Sequence, residues 1–600
     1  MNTFVNNPSK RAISARRIVF STLALTTGLF MLWLMHQTLA PHTPAALYVV
    51  LMVLFALTLP WMVVGFWNAI IGLLLCQLST NPTAAVLPSE MDITDTEPLT
   101  CSTAILLCIR NETPERLERN LETMLHGLAA PGIGEHFHIY VLSDTNDVAI
   151  AAQEQACFGS MQQRWLGQIA ITYRCRDDNA GYKAGNIEDF CKRWGDQHAF
   201  ALTLDADSFM TSGAIVRLVR MMQANPRLGI LQGLVVGLPS TSAFTRLFQY
   251  GMRLGMRSYT MGSAWWQSDC GPYWGHNAVI RLAPFIEHCA LPVLRTRDGG
   301  TRHILSHDQI EAVLMRRAGF DVRVFPQEDE SWEENPTTLS EYIRRDLRWC
   351  EGNLQYVHLL TLPKLKLMSR YQLTLAIFMF LGSPAWIALM ILLTMVAGFS
   401  TAPTGMPDGD LALTLLVLTL IMWYLPKIAG ALDVLLRKEE RQRFGGGGRF
   451  ALSLTLELLF SILMTPITWL NHTMFMAGLL MGRKGGWTSQ TRDDHSVPLS
   501  DAIKQFWPHT LLGLVLAITL YATNAPLLAY GMIFFSGLLL AIPIAVFTSQ
   551  PWLGRLMMQR RLLSLPEEIA PPEALLALHL KALPVQSPGF SKPSDPASRP

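Results

Sequence analysis

Charge is what this 600-residue chain has least of: only 16% of its residues are Asp, Glu, Lys or Arg, where a globular chain carries about a quarter. The formal net charge is +2, so no broad positive field exists to gather a nucleic acid. Half of the residues (50%) are apolar, which excludes collagen-like, disordered and disulfide-scaffold classes. The nine cysteines fall between Cys76 and Cys350 with no Cys-x-x-Cys spacing. That odd number argues against a disulfide framework or structural zinc site and fits a reducing compartment. The plainer reading is of buried thiols acting as small hydrophobes. No internal repeat is evident. Gly445–Gly448 is followed by Arg449 rather than Lys-Ser/Thr, so it is a loop and not a Walker motif.

What the chain does have is apolar runs long enough to span a bilayer, for which about 20 residues suffice. A tail, Met1–Arg17, carries Lys10, Arg11, Arg16 and Arg17, and the run Ile18–Ala40 that follows is too long for the core of a cleavable signal peptide. Ala45–Leu78, broken only by Pro60, reads as one span with an interfacial extension. From about Thr80 to Arg370 the composition is that of an ordinary globular domain. Apolar runs then return at Gln372–Phe399, Leu411–Leu432, Phe450–Leu480, Leu511–Thr523 and Leu527–Phe547. The tail, Arg437–Arg449, Arg483–Lys504 and Arg555–Arg561 are basic, whereas the connectors Pro41–Pro44 and Thr401–Asp410 hold no Lys or Arg. Basic loops stay inside, so Phe450–Leu480 has to cross an even number of times. Two short crossings divided at Pro466, giving eight spans, is the preferred reading; an interfacial re-entrant pair gives six.

Both counts put the globular domain and both termini in the cytoplasm. The expected layout is a tail 1–17, two transmembrane helices in 18–78, and a domain with interfacial helices in 79–370. A second membrane region, 371–548, encloses a cytoplasmic loop 482–507, and a tail 549–600 follows. The proline-rich part of that tail, from Ser564, reads as mostly disordered. Trp386, Trp423 and Trp469 lie in spans, where lipid-facing or interfacial anchoring is favoured over stacking on a sugar.

Within the globular segment, β-rich runs occur at Ala104–Ile109, Phe137–Leu142, Ile169–Tyr173, Phe200–Leu204, Gly229–Val236 and Asp321–Phe325, with helical patterns between several of them. One such helix has Thr113 as cap, Pro114 first, and Leu117, Leu121, Met124 and Leu128 on one face. The alternation predicts an α/β domain with a mainly parallel sheet. Ligands of such sheets bind beyond the carboxyl ends of the strands. Three polar clusters sit there: Arg110-Asn111-Glu112, Ser143-Asp144 and Asp205-Ala206-Asp207.

Asp205 and Asp207, one residue apart at a strand end, can both approach a divalent cation that holds a diphosphate, and oxygen ligands suit Mg2+ or Mn2+. Taken alone, the pair reads equally as a solvated turn. Arg176–Asn186 supplies positive charge and two glycines before a helix, where Lys183 could meet a phosphate; alone it reads as a surface turn. Ser306 and Gln309 are spaced as a capping box that puts Asp308 in the first turn, as a general base or merely as a helix-stabilising acid. Arg344–Trp349 precedes the membrane return. Arg348 could clamp a phosphate and Trp349 offers a flat face to a sugar, unless the cluster is only juxtamembrane charge.

In this order and spacing the motifs resemble the processive glycosyltransferase family 2 synthases, such as cellulose synthase. The resemblance covers about Ala104 to Trp349 plus the membrane layout. Departures from cellulose synthase are Ser306-His307-Asp308 for Thr-Glu-Asp, Arg345 for the Gln of Gln-x-x-Arg-Trp, and Tyr273–Asn277 for Phe-Phe-Cys-Gly-Ser. These variants, with Asp346–Asn353 and Gly482–Gln490, are similar to the glucosyltransferases of osmoregulated periplasmic glucan synthesis, over about Leu106 to Asp494. The chain looks like a short member, with little before its first span.

The resemblance implies a polytopic helical membrane protein of the bacterial inner membrane with an inserted cytoplasmic GT-A domain. It implies processive, inverting transfer of glucose from UDP-glucose to a β-glucan, expected β-1,2, with export to the periplasm. Asp144 would contact the uracil end, with Asn111 and Glu112 beside the donor. Lys183 and Arg348 would neutralise the diphosphate, and Asp205 and Asp207 would hold nucleotide and metal. Asp308 would deprotonate the acceptor hydroxyl, and Trp349 would stack on the terminal glucose. Arg345 lies with the substrate-binding residues, without an assigned role, and Trp487 and Gln490 lie in a gating loop. Implied partners are membrane lipid, an acyl carrier protein and a periplasmic glucan-processing protein. The rivals are a transferase to polyprenyl phosphate or another polysaccharide synthase, and, from a different class, a transporter with a nucleotide-sensing domain.

Overall fold

The computed structural model describes residues 9–39, 43–88, 93–94, 96–295, 300–399, 409–483 and 492–582. Two long helices open it, α1 (Lys10–Leu39) and α2 (Ala45–Leu78), and a short α3 (Pro82–Val86) leads to the α/β domain. The domain begins β1 (Thr103–Ile109), α4 (Pro114–Leu128), β2 (Phe137–Ser143), α5 (Val148–Arg164), β3 (Ala170–Cys175) and α6 (Tyr182–Trp194). It continues with β4 (Phe200–Asp205), β5 (Ser208–Met210), α7 (Ser212–Ala224), β6 (Leu228–Gly237) and the long α8 (Ala243–Gln267). After β7 (Ala278–Arg281) and α9 (Leu282–His288) comes a small ribbon, β8 (Leu294–Arg295) with β9 (Thr301–Arg302). α10 (Asp308–Arg317), β10 (Asp321–Glu333) and α11 (Leu339–Leu354) close the domain. The second apolar region holds α12 (Leu367–Phe399), α13 (Gly409–Leu436), α14 (Lys438–Arg443), α15 (Gly447–Leu480) and α16 (Leu499–Leu539). Four shorter helices follow: α17 (Ala541–Thr548), α18 (Pro551–Gln559), α19 (Pro566–Ile569) and α20 (Glu573–Ala582).

Eight strands form one sheet in the order β3-β2-β1-β4-β7-β6-β10-β5. β3, β2, β1 and β4 run parallel, as do β6 and β10. β7 is antiparallel between β4 and β6, and β5 antiparallel at the edge. All six strands read from the sequence are present; β5 and β7 to β9 are too short for an apolar pattern to reveal them. The period of two is visible in the core. Ile105, Leu107, Ile139 and Val141 pack on one face of the sheet, and Ala104, Leu106, Tyr140 and Leu142 on the other.

Register positions the site. Ile109 lies opposite Ser143, Ser143 opposite Cys175, and Cys108 opposite Asp205. Four parallel strands therefore end nearly level, and the residues just past them emerge along one edge.

Among the described residues, six helices are long and apolar enough to cross a membrane: α1, α2, α12, α13, α15 and α16. Pro466 does not divide Phe450–Leu480 into two short crossings. α15 is one continuous helix of 34 residues, because packing on both sides of the proline outweighs its one lost backbone hydrogen bond. Its first turns lie along α8, with Phe450 against Tyr250 and Phe460 against Phe244. Further on, His472 reaches Asp346 of α11 at 2.6 Å. α16, by contrast, turns back on itself at Asn524, which has non-helical dihedrals. Gly513 packs on Leu538 and Leu539, and Gly531 on Leu520, so its two arms form a hairpin.

The three tryptophans pack against one another. Trp386 and Trp469 stack at 5.0 Å, and Trp423 meets Trp469 edge-on at 5.4 Å.

α8 joins the two halves. Its backbone meets α2 at Gly72 and Gly262 and meets α13 at Gly430 so closely that a Cβ at any of them would overlap a main-chain carbonyl, the small-residue contact by which helices approach each other in membranes. α8 also receives the C-terminal segment. Leu563 and Leu565 are fully buried, Glu567 bonds Arg253 at 2.6 Å, and Glu568 pairs with Arg246. Leu575 and Leu578 of α20 enter the domain core. The expectation of disorder from Ser564 is thus corrected as far as Ala582: its prolines start α19 and space it from α20, while acids and leucines find partners no local pattern reveals. Arg253, 2% exposed, also takes Glu328 at 2.6 Å. Replacing it, in Arg253→Ala, leaves buried Glu567 without its counter-ion and weakens the hold on Glu328, and is expected to cost about 3–5 kcal/mol, read as a lower Tm of the detergent-purified protein.

Candidate active site

The level strand ends bring the polar clusters together. After β2, the Asp144 amide donates to Ile109 O at 2.9 Å, and its buried carboxylate accepts two hydrogen bonds of 2.7 Å from Arg176. Arg176 also donates to the carbonyls of Ala180 and Tyr182, both at 3.1 Å. The intervening turn needs Gly181 at φ +72° and Gly185, where a Cβ would strike Ala180 O.

Asn111, at φ +52°, follows β1 at the same edge. Its Oδ1 accepts from the amides of Asn146 and Asp147 at 3.2 and 3.3 Å, so it holds the loop after β2. Behind that loop, buried Glu154 accepts from Ser143, Thr145 and Tyr173 at 2.6–2.9 Å. Nothing in the sequence pattern singled out Glu154.

At the end of β4, Lys183 from the first turn of α6 pairs with Asp205 and donates to Gly275 O at 2.8 Å. Burial works against the Lys183 ammonium, but Asp205 more than offsets it and holds its pKa above the usual value. Gly275, at φ +85°, forms the wall on which Lys183 and Asp308 converge. A Cβ placed there would lie 3.9 Å from the Lys183 Nζ and 3.4 Å from the Asp308 Cβ.

Asp207 points into a second cluster. Arg492, from the segment after α15, bonds Asp207 at 2.7 Å and Glu112 at 3.0 Å. Burial pushes the Asp207 carboxyl up, but Arg492, His276 and Arg345 together pull it down to about 2. In Glu112 burial prevails over Arg492, and its pKa is raised. The segment is stitched down beside it, with Arg116 reaching both Glu334 and Asp493 at 3.1 Å. The sequence reading placed this loop near the site but did not name Arg492, whose partners are hundreds of residues away.

Asp308 begins α10 and is half-buried. The predicted capping box is absent: His307 is the N-cap and makes no side-chain cap bond. Ser306 packs tightly on Gly352 instead, and Gln309 donates to Tyr273 O at 3.3 Å. Tertiary partners thus outbid the local motif. Burial raises the Asp308 pKa more than His307 and two main-chain amides lower it.

On α11, Arg345 is buried, donates to Asn335 at 3.2 Å, and lies 4.9 Å over the ring of Trp349, a cation–π contact. Trp349 remains 48% exposed, so one face is open to a ligand. Burial lowers the Arg348 pKa, and crowding by Arg345, Arg492 and Arg344 adds to it. Trp487 and Gln490 lie outside the described residues.

The donor set fits a hard divalent cation only as a partial shell. Asp205 and Asp207 offer carboxylate oxygens, and among the described residues no group of three or more His, Cys, Asp or Glu completes a cage. Remaining ligands would have to come from the bound molecule.

Set beside known proteins, residues 200–426 match the family model glycosyl transferase family group 2. The chain is 34% identical to "glucans biosynthesis glucosyltransferase H" of Vibrio cholerae over 94% of this chain and 79% of that one. To the protein of the same name from Pseudomonas fluorescens Pf-5 it is 34% identical over 90% of its length, spanning 64% of that relative. A mannosyltransferase from Pyrobaculum calidifontis, solved in complex with GDP-Man and Mn2+, superposes with a TM-score of 0.38 at 16% identity, covering 62% of this chain and 99% of that one.

The Arg176–Asp144 pair is the most enclosed ion pair of the strand edge, with side chains 9% and 5% exposed. Arg176→Ala leaves that carboxylate buried without a counter-ion and is expected to cost about 3 kcal/mol or more. A lower Tm measures it, with Arg176→Lys recovering only part, since a point charge cannot reproduce the two-pronged contact.

Proposed function

The chain belongs to the glucans biosynthesis glucosyltransferase H family, and from that membership we propose that it moves glucose from UDP-glucose onto a growing β-glucan, expected β-1,2, and exports the chain across the bacterial inner membrane. The observation that carries this reading is the convergence of Asp308 and of Lys183, itself paired with Asp205, on Gly275 at the carboxyl edge of the sheet, with a second cationic cluster beside it.

Each residue's role follows from its charge and place. Asp144 would bind the uracil end while Arg176 keeps it oriented. Lys183, Arg348 and Arg492 would neutralise the diphosphate. Asp205 and Asp207 would hold Mg2+ or Mn2+, exchanging Lys183 and Arg492 for the cation and donor; the metal supplies positive charge to the departing diphosphate. Asp308 accepts the proton of the acceptor hydroxyl as that oxygen bonds the anomeric carbon. The bond from that carbon to the diphosphate oxygen breaks, and UDP leaves with the electron pair. One displacement on an α-linked donor gives a β-linked product, so no carboxylate nucleophile is required. The raised pKa of Asp308 suits a base, and Trp349's open face suits the terminal glucose.

Membrane layout fits the same reading. With α15 read as lying along α8 and α11, six crossings remain: α1, α2, α12, α13 and the two arms of α16. The basic loops then lie on the side of the catalytic domain, in the cytoplasm.

UDP release from UDP-glucose by the purified protein with Mn2+ or Mg2+ tests the proposal. Asp308→Asn is expected to lower kcat by about 10²-fold or more while UDP still binds. Turnover only with another nucleotide sugar, or a lipid-soluble product, would replace the glucan assignment. UDP binding without turnover of any donor would favour a nucleotide-sensing transporter.

A further inference from the structure

α10 carries a second buried pair that the chemistry above leaves unused. His307 Nδ1 lies 3.0 Å from Glu311 Oε2, one helical turn on, with the two side chains 9% and 3% exposed. His307 immediately precedes Asp308, and its Cε1 lies 4.0 Å from the position a Cβ on Gly275 would take, beside that of Asp308 at 3.4 Å. Burying a carboxylate as deeply as Glu311 without a counter-charge beside it is costly.

We propose that His307, held as a cation by Glu311, is a positioning residue whose charge keeps Asp308 in its proton-accepting form. The inference rests on the reading of Asp308 as the base. Positive charge beside Asp308 favours its carboxylate, whereas Glu311 alone would oppose it.

The surroundings permit little else to do this. Lys183, the other cation facing the pair, is engaged by Asp205 and Gly275. The remaining titratable neighbours are Tyr273, Tyr356, Cys191 and Cys289. Burial raises all four, the Cys191 thiol to about 12, so none changes charge near neutral pH. In His307 burial lowers the pKa, but Glu311 and then Asp308 outweigh it, and the net direction is upward. The imidazole therefore keeps its proton to higher pH than a free histidine and loses it as pH rises through that elevated value.

The sign for turnover follows. A base works above its pKa, so kcat falls as pH falls through that of Asp308 in the ternary complex. His307→Gln leaves the Glu311 charge uncompensated beside Asp308 and should move this acid limb to higher pH by about one unit, a tenfold loss of kcat on the limb, with KM for UDP-glucose unchanged. His307→Gln/Glu311→Gln removes both opposing charges and should return the limb to within about half a unit of the parent, well inside the full-unit shift.

The experiment is the pH dependence of kcat for UDP release by the full-length protein in detergent, for the parent, both variants and Asp308→Asn. An acid limb unmoved in His307→Gln, or one still displaced in the double variant, overturns the inference. If the single variant does not fold, the double variant alone decides, since a limb displaced there has the same force. Full activity in Asp308→Asn would overturn the underlying assignment instead, and the two failures are told apart.

Discussion

Carboxylates gathered at one edge of a parallel sheet repel one another, and the cations this chain sets against them organise the rest of the site. Asp144 takes Arg176 from the start of the next turn, Asp205 takes Lys183 from α6, and Asp207 and Glu112 share Arg492. Each counter-charge comes from a different element, so charge balance is also a fastening. The turn before α6, the first turn of α6 and the segment after α15 are all tied to one line of strand ends.

The second constraint is mechanical. The α/β domain sits directly on the long apolar helices, and α8 is where the two surfaces meet. Its glycine contacts admit α2 and α13 at main-chain distance, and Arg246 and Arg253 hold the returning C-terminal acids. Because β10 reaches the same arginine through Glu328, a shift of the catalytic sheet cannot occur without disturbing α8. α15 and α11 extend the join, through the His472–Asp346 bond, to the helix that carries Arg348 and Trp349.

Much of the site was legible because its residues follow strands that announce themselves. Apolar runs that stop at Asp144 or Asp205 place those acids at the carboxyl edge whatever the details of packing. Asp308 was legible as a first-turn acid, but the capping box around it was not real, since Ser306 is drawn to Gly352 and Gln309 to Tyr273. Arg492, Glu154 and Glu311 were invisible for one shared reason: each matters through a partner set by tertiary contact. That the Asn111 side chain braces the loop after β2 was likewise visible only in the folded chain.

Composition, apolar run length and the placement of Lys and Arg by themselves determined that this is a membrane protein with an inserted α/β domain. They also determined the order of that domain's chemical residues, since periodicity and motif spacing are properties of the chain alone. Whether Pro466 breaks a helix, whether Trp386, Trp423 and Trp469 face lipid, and whether the acids and leucines after Ser564 find partners were decided only in the folded molecule. The physical reason is the same in each case: a proline, an aromatic ring or a buried charge adds little on its own, and its conformation is set by the neighbour that packs, stacks or pairs with it.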